Sequence, residues 1–409
     1  MKKLLQVFLG VLTAIGGFVD IGELVTGAAV GARFGMALAW ATVLGLFVIM
    51  LFAEMAGRVA AVSGRAVFDL VRERLGPRLG LANLVASFLI TLATVAAEIG
   101  GVALTLELAT SINYLLWVPV VAALVWIVVW KVNFDVMENV FGLLGLALIV
   151  TAVAVWRIGP DWGGVLHDMA HPAKPASESL PTYWYYAIAM FGAGVMPYEV
   201  FFFSSGAIEE RWTPKDLAIE RTNVFLGFPL GSLVTLSIML AAALVLAPRQ
   251  ISVDALYQTA LPATLTLGKW ALILSLLGFF ACTFGAALET TLSCGYTVAQ
   301  YFGWSWGKSV QPKDDARFHV TIMLSIVAAT ALVLTTFDPV KITEFVVVLS
   351  AAALPLTYLP VLIVANDPEY MGDKTNSRLS NALGFAFLVV LTLASLATLP
   401  LMIVTKAGG

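Results

Sequence analysis

Two carboxylates, Asp20 and Glu23, stand three residues apart inside an apolar run that starts after Lys3. A carboxylate at membrane depth costs from about 2.5 kcal/mol upward and is kept mainly where it pairs or lines an aqueous path. Gly22 lies between them, and no Lys or Arg sits at comparable depth in any apolar run, so a bound cation is the obvious counter-charge. Met196 brings a thioether to a second interruption, Gly192-Ala193-Gly194-Val195-Met196-Pro197. Proline removes a helix hydrogen bond, glycine tolerates the irregular backbone that follows, and the carbonyls so freed need a partner. A lone methionine in a membrane helix is ordinary packing material. Next to Pro197 and opposite Asp20 it joins two carboxylates and one or two carbonyls in a mixed hard and soft donor set that suits a first-row divalent metal. Two carboxylates this close also repel, so the pair would share a proton that an arriving dication displaces.

These residues need long apolar elements to carry them. Of 409 residues 60% are hydrophobic and 12% charged, against roughly 25% charged in a soluble domain, which excludes an ordinary soluble enzyme. The chain reads as an all-α polytopic membrane protein with one transporter domain over 1–409. Eleven apolar spans are predicted, at about 4–30, 34–56, 81–109, 114–130, 134–156, 183–204, 223–247, 264–304, 318–336, 342–365 and 380–404. The eighth is too long for one crossing, because 41 residues at 1.5 Å reach about 60 Å, so part of it must be loop or surface helix. Lys2-Lys3 and the apolar run after them imitate a signal peptide, but no small-residue cleavage site follows, and the run reads as a retained first helix.

Alternate loops carry 16 Lys/Arg on one side, from Lys2 through Arg58, Arg74 and Arg221 to Arg378, and 7 on the other, including Arg33, Lys174 and Lys406. The first side is therefore expected to be cytoplasmic, with the N-terminus inside and the C-terminus outside, and the short loops make a bacterial inner membrane the expected location. Five spans per unit invert the second unit relative to the first. Spans one to five (about 4–156) would correspond to six to ten (about 183–365), with an appended eleventh helix at about 380–404. Spans one and six are each interrupted mid-membrane, where inverted-repeat transporters place their site. His167, His171 and His319 lie outside the predicted spans, so no intramembrane histidine relay is available. Cys282 and Cys294 share one apolar stretch and read as small buried residues rather than a disulfide scaffold. No basic or acidic tract suggests a nucleic-acid partner.

The segment Phe18-Val19-Asp20-Ile21-Gly22-Glu23 and then Gly31-Ala32-Arg33-Phe34-Gly35 resembles the Nramp divalent-metal transporters, whose first helix reads Y-V-D-P-G-N and then G-S-R-F-G. Similar matches follow in order: Glu54 to Arg58 with Ser63-Gly64 and Arg72-Glu73-Arg74, then Met137-Glu138-Asn139-Val140-Phe141-Gly142, then Gly192 to Tyr198, then Leu349-Ser350 to Pro360. The resemblance implies a LeuT-type 5+5 inverted repeat with broken helices one and six, carrying a divalent transition metal, which the family couples to protons. It also implies Asp20 as metal-ligating aspartate, Glu23 in the place of a ligating asparagine, Met196 as the sulfur ligand and the Ala193 carbonyl as a further donor.

The departures from the family pattern matter as much. Its proline is Ile21 here, its sixth-helix histidines are Tyr198 and Phe203, its third-helix aspartate and glutamate are Glu98 and Gly101, and its tenth-helix glutamine is Ala351. A dianionic site favours a harder ion such as manganese or magnesium. Losing both histidines and one third-helix acid leaves Glu98 and Glu23 as the proton or coupling candidates, and several of these losses resemble the Nramp-related magnesium transporters, a branch thought to work without proton coupling. Glu98, Glu107 and Glu289 also admit structural readings, and Arg65, Asp69, Arg72, Glu73 and Arg74 read as a solvated ion-pair network. The expectation is a monomeric, cofactor-free importer of a divalent cation of the Mn2+ or Mg2+ class, with a proton as second partner left open. An amino-acid or amine transporter of the same architecture, a passive divalent cation channel and a metal-sensing receptor are the alternatives.

Overall fold

The computed structural model describes residues 19–335 and 338–408, apart from the Asp135 side chain, and every regular element among them is helical. Ten helices or helix pairs among these residues are long and apolar enough to cross a membrane, and they match predicted spans two to eleven in order: Ala39–Ser63, Pro77–Thr110, Tyr114–Lys131, Val136–Ile158, Leu180–Glu209, Leu217–Arg249, Lys269–Phe302, Ala316–Leu334, Pro339–Ala365 and Arg378–Val404. The first span is described only from Val19 onward, as the helix Ile21–Phe34; its predicted first half, with Gly16 and Gly17, lies outside the described residues.

The overlong eighth stretch divides at Gly268, whose φ of +80° ends the short helix Leu256–Leu267 and starts the 34-residue helix Lys269–Phe302. The span-seven helix starts earlier than expected, at Leu217, and passes through a π-helical turn at Asn223–Gly227. Span ten changes to a 3-10 turn at Ala351–Ala353 between Pro339–Ser350 and Leu354–Ala365.

The interrupted sixth span is the most enclosed, with 89% of its apolar window buried inside the protein, against 17% for the eleventh. The eleventh helix lies at the periphery and is tied to span ten by Ser395, whose hydroxyl donates to the Ala352 carbonyl at 2.8 Å. Leu89, Trp126, Trp156, Leu396 and Ile403 stay exposed on outward faces, as a hydrocarbon solvent allows and water does not.

The first-span helix is held in the centre by small residues. Gly27 and Gly31 make a small-xxx-small face against Phe228–Val245, and a Cβ added at Gly31 would stand 2.0 Å from the Met239 carbonyl oxygen. Close backbone approach of this kind replaces the hydrophobic driving force that lipid does not supply.

Replacing Gly31 by Ala should therefore push these two helices apart and destabilise the protein by about 1–3 kcal/mol. Gly27→Ala, whose Cβ would meet Thr235 at an ordinary 3.7 Å, should be tolerated. Thermal unfolding in detergent would show a lowered midpoint for the first substitution and an unchanged one for the second; equal midpoints would refute the close-packing account.

Candidate metal site

Asp20 is the N-cap of Ile21–Phe34, with extended backbone (φ −108°, ψ −177°), and its Oδ1 accepts the Glu23 N–H at 2.9 Å. A short acid at an N-cap satisfies one of the amides that every helix start leaves open. Here the helix starts inside the protein, so that exchange keeps polar backbone out of an apolar interior.

The second break has its own backbone logic. Leu180–Ala193 stops at Gly194, Met196 takes extended geometry (φ −61°, ψ 140°), and Pro197 begins the helix Pro197–Glu209. Pro197 is four residues beyond Ala193 and has no N–H, so it cannot accept the role of helical donor to the Ala193 carbonyl. The Val195 carbonyl is taken by the Tyr358 hydroxyl at 3.1 Å.

The two breaks meet: the Tyr198 hydroxyl, in the first turn after Pro197, donates to Asp20 Oδ2 at 3.4 Å. Span ten closes over both. A Cβ on Gly22 would lie 2.8 Å from Val347 Cγ2, and one on Gly192 would lie 2.8 Å from the Val347 carbonyl oxygen. Ala351, where a gating residue was expected, is fully buried one helical turn beyond Val347. Asp20, Glu23, Ala193, Met196 and Tyr198 are each at most 2% exposed.

Burial leaves carboxylate oxygens unsatisfied. Glu23 Oε2 accepts the Thr235 hydroxyl at 3.1 Å, whereas Glu23 Oε1 has no hydrogen-bond partner. Glu98 Oε1 accepts the Ile21 N–H at 3.3 Å, and its Oε2 has none. Glu199 and Glu289 lie within electrostatic range of Asp20, and Glu199 Oε2 is also orphaned. Among the described residues none of the ion pairs involves any of these five acids. An isolated buried carboxylate is costly, so the pocket calls for a proton or a cation. No three His, Cys, Asp or Glu side chains among the described residues converge on one point, so a metal here would draw on backbone and thioether donors as well.

The sequence reading had missed Glu199 and Thr235. Glu199 follows Pro197 by two residues, and its charge at membrane depth was the available signal. Thr235 carried none, because a hydroxyl in a long apolar helix is commonplace. His167 on the exposed helix Trp162–Ala170 stacks on His171, the C-cap residue of that helix, and His319 contacts the Val310 carbonyl, all away from this pocket. Both cysteines are buried, and they form no disulfide with each other.

Ion pairs tie down the two ends of the bundle. At one, Arg33 binds Glu178 at 2.5 Å, the Tyr186 hydroxyl at 3.1 Å and the Gly408 carbonyl at 3.2 Å. At the other, Glu54 holds Arg58 at 3.0 Å and Arg221 at 3.2 Å, while Arg58 reaches Asn376 at 2.6 Å. Glu220, fully buried beside them, has no partner on either oxygen. The predicted network near Arg65 is present as Arg65–Glu73 at 2.7 Å, and Arg74 adds a pair with Asp367 at 2.6 Å. Residues assigned to the same loop side by charge counting thus meet one another.

The family model for natural resistance-associated macrophage protein-like proteins matches residues 10–400. Among curated relatives, the divalent metal cation transporter MntH of Aeromonas hydrophila is 25% identical, covering 90% of this chain and 89% of its own length. MntH 1 of Pseudomonas aeruginosa is 27% identical over 95% and 90%. The crystal structure of an Eremococcus coleocola manganese transporter superposes with a TM-score of 0.69 at 20% identity, covering 96% of this chain and 85% of that one. A nucleobase-cation-symport-1 family transporter superposes at 0.61 and 15% identity, over 98% and 92%. The shared architecture is the LeuT-type fold.

Thr235→Val keeps the side-chain shape and removes the donor to Glu23. Leaving that carboxylate with neither oxygen bonded should cost about 1–3 kcal/mol, read as a lowered unfolding midpoint in metal-free buffer at neutral pH. An unchanged midpoint would show that the bond to Glu23 contributes nothing.

Proposed function

The chain belongs to the Nramp family, and from that premise we propose that it imports a divalent metal ion by alternating access, with Asp20, Glu23, Met196 and the Ala193 carbonyl as ligands. The observation that carries this reading is the orphaned Glu23 Oε1. It is fully buried, next to Asp20 and unopposed by any cationic side chain among the described residues. A dication entering between Asp20 and Glu23 neutralises both carboxylates and uses the Ala193 carbonyl that Pro197 leaves without a helical donor.

The same geometry supports a cycle. Among the described residues the site is enclosed and ion pairs join both ends of the bundle, as suits a state closed to either side. Opening toward the side expected to be external requires separating Arg33 from Glu178 and Tyr186. Opening toward the side expected to be cytoplasmic requires releasing Glu54 from Arg221. The two inverted units, about 4–156 and 183–365, would rock about the fixed site.

Manganese is the favoured cargo, supported by the thioether of Met196 and by the manganese that the structural neighbour from Eremococcus coleocola is named for. Magnesium is the second reading: Glu23, where the family has asparagine, gives the site a second negative charge that favours a hard ion, while a thioether adds little to an ion that keeps its waters. Proton coupling of the family's kind is altered or absent, since Tyr198 and Phe203 replace the two histidines.

Uptake into proteoliposomes of manganese and of magnesium, with an internal pH dye, tests the proposal. Saturable uptake is expected for wild type, lost in Asp20→Ala and in Glu23→Ala. Met196→Ala should weaken manganese uptake more than magnesium uptake, and equal loss for both ions would remove the ligand role of the sulfur. Acidification that persists in wild type but disappears in Glu23→Asn would assign the proton to Glu23. Uptake of amino acids with no effect of either metal would overturn the metal reading.

A further inference from the structure

The first amide of a helix has no intrahelical acceptor, and for a helix that starts inside a membrane protein water is no substitute. At the break of the first span that amide belongs to Ile21. Its acceptor is Glu98 Oε1, 3.3 Å away on the third span and 77 positions along the chain. Glu98 is fully buried.

The same helix face receives the Ile21 side chain. Gly101 lies three residues beyond Glu98, and a Cβ there would stand 2.3 Å from Ile21 Cδ1. Residues three apart share a helix face, so the third span presents to Ile21 an acceptor and, one turn on, a notch that only glycine leaves open. One contact fixes the peptide plane between Asp20 and Ile21, and the other fixes the side chain. That peptide plane sets the direction in which the Asp20 carboxylate leaves the backbone.

The three departures from the family pattern noted in the sequence are thus one unit. A proline at position 21 would have no N–H to offer an acceptor. A larger residue at position 101 would collide with isoleucine. With isoleucine at position 21, the chain gains a donor, a carboxylate that receives it and a glycine that makes room.

We infer that Glu98 is a positioning residue for the metal site, acting through the Ile21 N–H to aim Asp20, and that Ile21, Glu98 and Gly101 work together in this. The inference rests on the reading of Asp20 as a metal ligand. It assigns Glu98 the work of a hydrogen-bond acceptor rather than that of a charge in transit.

Glutamine keeps the acceptor oxygen and drops the charge, whereas alanine drops both. Two measurements are made on Glu98→Gln, Glu98→Ala, Ile21→Pro and the double variant Ile21→Pro/Glu98→Ala. The first is amide hydrogen exchange of the segment containing Ile21, in detergent without metal. The second is the KM and maximal rate of manganese uptake in proteoliposomes. Exchange at Ile21 should be faster in Glu98→Ala and like wild type in Glu98→Gln. The manganese KM should stay within about twofold of wild type in Glu98→Gln and rise about tenfold in Glu98→Ala, as leaving the buried Ile21 N–H without an acceptor allows. Adding Glu98→Ala to Ile21→Pro should raise KM no further, because the donor is already gone. Glu98→Gln behaving like Glu98→Ala in both measurements would overturn the inference in favour of a role for the charge. So would Glu98→Ala leaving both unchanged. If wild type takes up no manganese, the transport reading fails on its own, and the exchange measurement still decides whether Glu98 holds the Ile21 amide.

Discussion

A pair of carboxylates enclosed in an apolar interior, with no cationic partner among the described residues, is the constraint on which the rest of this structure depends. Asp20 and Glu23 are at most 2% exposed, and one Glu23 oxygen has no hydrogen-bond partner. Every nearby element is arranged to tolerate that charge or to await its neutralisation. Helix starts are placed so that amides face the acids, hydroxyls from Tyr198 and Thr235 each take one oxygen, and the sixth span ends where a proline frees a carbonyl. Such a pocket is unfavourable when empty and charged, which is the condition a site for a mobile cation requires.

The breaks in spans one and six and the packing of span ten are one solution to a packing problem. Two helix ends cannot meet inside a bundle unless glycines let backbones approach and a third helix covers the exposed turns. Gly22 and Gly192 both abut Val347, so one residue of span ten seals both breaks. Ala351, one turn away, sits where span ten tightens into a 3-10 turn, and such local changes of helical pitch in mid-span often mark a hinge. The ion pairs of Arg33 and Glu54 join elements at opposite ends of the bundle.

Much of this was legible in the residues. Apolar runs bounded by charge located spans two to seven and nine to eleven, because a hydrocarbon slab admits little besides helices about 20 residues long. Asp20, Glu23 and Met196 were legible as candidates because charge at depth and a proline in mid-span are rare and costly. The division of the eighth stretch was legible as a necessity but not as a place, since Gly268 acts through a backbone dihedral that residue type alone does not fix. Glu199 was within reach of the same argument that found Asp20, and Thr235 was not.

By itself, then, the sequence determined the class of fold, the order of the spans and the acids whose burial calls for a proton or a cation, all of which follow from the solvation of side chains one at a time. Only the tertiary structure decided which groups answer those acids. That Tyr198 bridges to Asp20, that Thr235 takes one oxygen of Glu23, and that Glu98 meets the Ile21 amide beside Gly101 depend on helices 77 to 212 residues apart coming to within hydrogen-bonding distance. A sequence records what each residue requires of its surroundings, and the close packing of helices settles which neighbour supplies it.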